Sequence, residues 1–93
     1  MKHYIILKLK KGTDVPALAK KAEEIFGLTL SVPGVESVEV FSSCSDLPGR
    51  FDLMIKIEMA PEALPVYDAC EPHQQWRRLC DPLLENKVIF DCE

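Results

Sequence analysis

Between Phe51 and Met59 apolar and polar side chains alternate. Phe51, Leu53, Ile55, Ile57 and Met59 fall on one side; Asp52, Met54, Lys56 and Glu58 fall on the other. A period of two belongs to a strand, not a helix. One face of that strand must be packed, and the other is semi-polar, fit to meet water or a partner. The chain has 93 residues, the size of one domain spanning 1–93. Such a domain buries roughly 60–70% of its unfolded surface around a single modest core. A sheet covered by helices on one face is the economical way to satisfy both conditions.

The remaining elements arrange themselves around this strand. Residues 2–9 alternate up to the Lys10-Lys11-Gly12 turn, with His3, Ile5, Leu7 and Leu9 on one face and Tyr4, Ile6 and Lys8 on the other. Thr13-Asp14 offers a helix cap, with Pro16 in the first turn. Leu18, Ala22, Ile25, Phe26 and Thr29 follow at helical spacing, and Pro33-Gly34 turns the chain into a strand from Val35 to Phe41. After the alternating strand, 60–68 reads as a short helix distorted by Pro65. Pro72 opens another helix with Trp76, Leu79, Cys80 and Leu83 as its stripe, and 87–91 is the last strand. The order is strand, helix, strand, strand, helix, strand. With right-handed crossovers this is an α+β, ferredoxin-like split βαβ sandwich: a four-stranded antiparallel sheet with helices on one face. Its open face would carry Tyr4, Ile6, Met54 and some of Val38, Val40, Ile89 or Phe90. A patch of that kind usually marks an interface. A C2 homodimer, closing two sheets into a dimeric α/β barrel, is the simplest cover.

Composition narrows the function classes. Net charge is −4, from 11 basic and 15 acidic side chains. There is no basic stripe of the sort nucleic acid requires. The longest apolar run, residues 4–7, is too short to span a membrane. The four cysteines, at 44, 70, 80 and 92, contain no C-x-x-C pair, so neither a zinc knuckle nor a redox motif is expected. The N-terminus runs directly into a strand-like segment without the pattern of a secretory signal. The expectation is a cytoplasmic protein with reduced thiols.

In this order the segments Lys2-His3-Tyr4-Ile5-Ile6-Leu7-Lys8-Leu9-Lys10, Val32-Pro33-Gly34-Val35, Phe51-Asp52-Leu53 and Pro82 to Asp91 resemble the stress-responsive A/B barrel domain, the dimeric α/β barrel or Dabb family. The resemblance covers nearly the whole chain and implies the fold and dimer described above. Tyr67 and His73 fall on the family's Tyr and second His, and His3 falls on the His of its first strand. Cys70 replaces the family's first His, and Pro72 stands at a variable position. Some plant members are cofactor-free polyketide cyclases that use the Tyr and the second His. The resemblance therefore implies a Tyr67–His73 acid–base pair, with His3 nearby.

Chemistry gives the same residues a rationale. His3 and His73 are the only histidines, and imidazole is the natural base near neutral pH. A tyrosine hydroxyl can hydrogen-bond a carbonyl as it becomes an enolate. Ile5, Leu7 and Trp76 would supply apolar walls for a substrate. The plainer reading makes His73 a first-turn helix residue, His3 a satisfied edge histidine, and Tyr67 and Trp76 ordinary core. His3, Cys70 and His73 could approach a metal, but no fourth ligand is evident, so neither metal nor cofactor is expected. Three functions follow: a dimeric barrel that binds a hydrophobic small molecule, a cofactor-free lyase or cyclase with polyketide-cyclase-like aldol chemistry, and a barrel-type monooxygenase. A pocket of roughly 300 Å³ or more between helices and sheet is the feature that gives the second reading weight.

Overall fold

The computed structural model describes residues 1–93. Strand β1 (Lys2–Leu9) leads through a turn into helix α1 (Val15–Gly27), which ends in a 3₁₀ turn at Leu28–Ser31. Strands β2 (Val35–Ser42) and β3 (Leu53–Met59) follow. A 3₁₀ turn at Pro61–Ala63 precedes α2 (Leu64–Ala69) and α3 (Glu71–Cys80). Another, at Asp81–Leu83, precedes β4 (Leu84–Cys92). The sheet order is β2-β3-β1-β4 and every pairing is antiparallel. This is the expected ferredoxin-like sandwich.

Local chemistry sets the element boundaries. Asp14 caps α1 by accepting from the Ala17 amide at 3.1 Å. Thr13 instead donates its hydroxyl to the Lys10 carbonyl at 2.6 Å, inside the preceding turn. Pro65 sits in the first turn of α2, where a missing N–H costs nothing, so it starts that helix rather than distorting it. Cys70 is extended and separates α2 from α3, whose first turn holds Pro72. The side chains of Leu7, Phe26, Ile55, Ile57, Tyr67 and Cys80 are fully enclosed in the core.

Three expectations are corrected. β3 begins at Leu53, not Phe51. Asp52 departs from regular pairing because its carboxylate accepts from the Leu9 amide at 2.8 Å while its own amide donates to the Leu7 carbonyl at 2.8 Å. Phe51 consequently joins Ile6, Phe41 and Met54 on the far side of the sheet. β4 is longer than expected, because the polar residues Glu85 and Asn86 lie on an exposed edge strand. In α3, Leu79 is exposed while His73, Trp76 and Cys80 are buried.

The register also resolves the open face. Phe90 pairs with Tyr4, Val88 with Ile6 and Phe41 with Met54, so all six side chains share it. Val38, Val40 and Ile89 lie on the helix side, opposite Ile57, Ile55 and Ile5. The helices leave β4 largely uncovered, and a cavity opens there.

Candidate functional site

The cavity lies between α2 and α3 on one side and β1 and β4 on the other, with a volume of about 480 Å³. Alternation along β1 brings His3, Ile5 and Leu7 to its floor. α3 contributes His73, Trp76 and Cys80 at helical spacing, and Leu64 comes from the start of α2. Trp76 does both things asked of it in sequence: it packs edge-on against Phe26, ring centroids 5.3 Å apart, and it lines the cavity.

Tyr67 is placed differently from its two partners. His3 and His73 line the cavity, but Tyr67 is not among the lining residues. Its ring lies between the two imidazoles, with centroids 5.6 Å from His3 and 4.9 Å from His73. Its hydroxyl is enclosed and has no hydrogen-bond partner. The expected convergence of Tyr67 and His73 on one space is thus met by the histidine alone. Burial, helped by the Cys70 thiol and the Asp68 carboxylate, holds the Tyr67 hydroxyl far above its ordinary pKa, so it stays protonated.

His73 donates Nδ1–H to the Asp68 main-chain carbonyl at 2.8 Å. A carbonyl oxygen only accepts, so this bond fixes the proton on Nδ1 and leaves the lone pair on Nε2. Burial lowers the His73 pKa, outweighing the Asp68 interactions that would raise it; Arg77 and His3 push in the same downward direction. The imidazole is therefore neutral near pH 7. His3 donates Nδ1–H to the Asp91 carboxylate across the β1–β4 pairing. The Cys80 thiol is pushed up to about 11, chiefly by burial and then by Asp81, which leaves it protonated and a poor nucleophile. All four cysteines are free. No group of three or more His, Cys, Asp or Glu side chains is arranged to hold a metal. No helix is long and apolar enough to cross a membrane.

Sequence reasoning missed the charged part of the wall: Asp68, Arg77, Asp81, Lys87 and Asp91. Lys87, Ile89 and Asp91 stand at a period of two on β4, opposite Leu7, Ile5 and His3. That alternation was the available signal, and it becomes informative only once the β1–β4 register is known.

No family model matches the chain, and no curated protein matches it by sequence. Solved structures do match in fold. A dimeric protein of unknown function with a ferredoxin-like fold from Bacteroides fragilis aligns over 99% of this chain and 93% of its own, at 16% identity and a TM-score of 0.81. A Dabb family protein with a ferredoxin-like fold from Mesorhizobium loti aligns over 99% and 93%, at 18% identity and a TM-score of 0.76. A candidate antibiotic biosynthesis monooxygenase from Nitrosomonas europaea aligns over 98% and 88%, at 14% identity and a TM-score of 0.72. The chain therefore has the ferredoxin-like fold of Dabb-type proteins, as its sequence segments implied.

Proposed function

We propose that this domain binds a small molecule with an apolar body in the cavity between α2, α3, β1 and β4, and does so as a homodimer. The observation that carries the reading is the cavity itself. Its volume, about 480 Å³, falls in the range of ligand pockets, and apolar walls with a few convergent polar groups are the usual design of such sites. The dimer draws on the uncovered apolar sheet face and on the dimeric Bacteroides fragilis structure. Its free thiols suit the cytoplasm. Trp76 is the only tryptophan and lines the cavity, so its emission reports occupancy. Titration with 1-octanol should change that emission saturably. A response that never saturates, or no response, counts against a binding cavity.

A second reading, general acid–base catalysis next to a carbonyl, is favoured by the spent Nδ1–H of His73. Nε2 would take an α-proton as the electron pair moves onto the carbonyl oxygen. Tyr67 does not line the cavity; His3 does, with its Nδ1–H spent on Asp91, and only as an imidazolium paired with that carboxylate would it carry a second N–H, on Nε2, to donate to that oxygen. Deuterium incorporation α to the carbonyl of 2-octanone in heavy water tests this. The wild type should accelerate exchange, and His73→Ala should lose about 10²–10⁴-fold. Equal rates in both proteins would leave binding alone. The monooxygenase reading draws on the names of similar structures alone, the Nitrosomonas europaea protein among them.

A further inference from the structure

The charges around the cavity are unevenly matched. Three carboxylates line it. Asp91 accepts from His3 and Asp81 lies 3.4 Å from Arg77 Nε, while Asp68 lies 3.7 Å from the neutral His73 imidazole, at the histidine end. Lys87 also lines the cavity, on the helix side of β4 opposite Leu7, and forms no ion pair. The wall thus carries one cation that nothing in the protein neutralises. Lys87 and Asp91 are four positions apart along the same face, about 13 Å at strand rise. Ile5, Leu7, Ile89 and Trp76 line the cavity as well.

We propose that the cavity takes an amphipathic monocarboxylate, its anionic group at Lys87 and its apolar body running towards the histidine end. This rests on the cavity being a ligand site, as proposed above, and adds the charge of the ligand and the residue that selects it. A neutral molecule of the same shape would fill the apolar part and leave Lys87 in water. An amine would meet a like charge there. Because Lys87 is exposed, its contribution is that of a solvent-screened ion pair, worth several-fold in affinity and diminishing with salt.

The test compares octanoate with 1-octanol, read by Trp76 emission in low-salt buffer. Octanoate should bind about fivefold more tightly than 1-octanol to the wild type. Lys87→Ala should abolish that preference, bringing the ratio of the two affinities to about one. Lys87→Arg should retain the preference. Adding about 0.5 M salt should weaken octanoate and spare 1-octanol. Equal binding of the two probes to the wild type overturns the proposal and leaves the apolar cavity standing. A preference that survives Lys87→Ala overturns the assignment to Lys87. If neither probe binds, the cavity reading fails and takes this one with it. Lys87 is exposed on an edge strand, so its variants should fold, and an unchanged thermal melt would verify that.

Discussion

An enclosed hydroxyl with no partner, as Tyr67 has, costs about 1–3 kcal/mol relative to one that is satisfied. Tyr67→Phe removes that group and keeps the ring that packs between His3 and His73. We expect the variant to be more stable by about 1 kcal/mol, read as a rise of several degrees in melting temperature. A clear fall would mean the hydroxyl makes a stabilising bond, and would restore it as a donor. His73 leads to a pH prediction. Its folded pKa lies below the unfolded value of about 6.5. The unfolded chain therefore binds the proton first as pH falls, and stability must drop from about pH 6.5 downward until the folded state also protonates. Asp68, Arg77 and His3 are the charged or titratable groups that bear on the imidazole. Urea midpoints measured from pH 7.5 to 5 should decline less steeply in His73→Gln than in the wild type; parallel curves would show that His73 is not held neutral. At this scale the sequence was informative about residue types and silent about distant partners. His3, Ile5 and Leu7 follow from alternation. The Asp91 carboxylate lies 88 residues from the imidazole it holds, and no local pattern encodes that pairing.

The elements depend on a few turns, and one of them has no room for a side chain. Gly34 has a φ of +93°, and a Cβ added there would come within 2.9 Å of the Ala63 Cβ and 3.4 Å of the Ala60 Cβ. The Gly34 carbonyl also accepts from the Ala60 amide at 2.8 Å, which ties the start of β2 to the segment leading into α2. Gly34→Ala therefore combines backbone strain with a clash against the Ala63 methyl, and should cost about 2 kcal/mol or more. Gly12 has a φ of +88° with nothing within 4 Å of the added Cβ. Gly12→Ala should show the strain alone, about 1 kcal/mol. Equal losses in urea melts would mean that the α2 approach is not tight. Most elements were legible because periodicity is local. Alternation starts β3 at Phe51, but Asp52 is captured by β1, a contact 43 residues away that a local pattern cannot register. Apolar residues alone, Trp76, Leu79, Cys80 and Leu83, centre the α3 stripe near Leu79. With His73 included, residues 73, 76 and 80 define the buried face, and Leu79 falls off its edge. Pro65 reads as a distortion in a helix that begins at residue 60 and as a first-turn residue in one that begins at Leu64, and the sequence alone does not fix that start.

At the scale of the molecule, one layer of helices leaves a sheet with two unlike faces. The helix side holds the core and the cavity. The other side presents Tyr4, Ile6, Phe41, Met54, Val88 and Phe90 around an ion cluster, in which Lys56 Nζ lies 3.6 Å from Glu39 and 3.4 Å from Glu58. The cluster sets two carboxylates against one ammonium, so a facing sheet that covers it must leave one carboxylate at the wet rim or supply a counter-charge, because an unpaired charge there would be costly to bury. Four strands spaced at about 4.8 Å, over some seven residues at about 3.3 Å, give a flat area of about 450 Å² per face. That is small for a stable interface, in which each partner usually contributes about 800 Å². Side-chain relief and the neighbouring loop, where Leu47 is exposed, must supply the rest, so each apolar anchor should matter. Phe90 is 57% exposed and stands beside Tyr4 on an edge strand. Replacing it should spare the core of the single chain. Sedimentation at micromolar concentration should give about twice the 10.5 kDa chain mass for the wild type. Phe90→Glu should shift the population to monomer with the circular dichroism of the fold unchanged, because the new carboxylates would have to be buried in a closed barrel. A wild-type monomer would sink the dimer proposal. A Phe90→Glu dimer would move the contact away from this face, to the β2 edge where Leu30, Val38 and Val40 border another hollow.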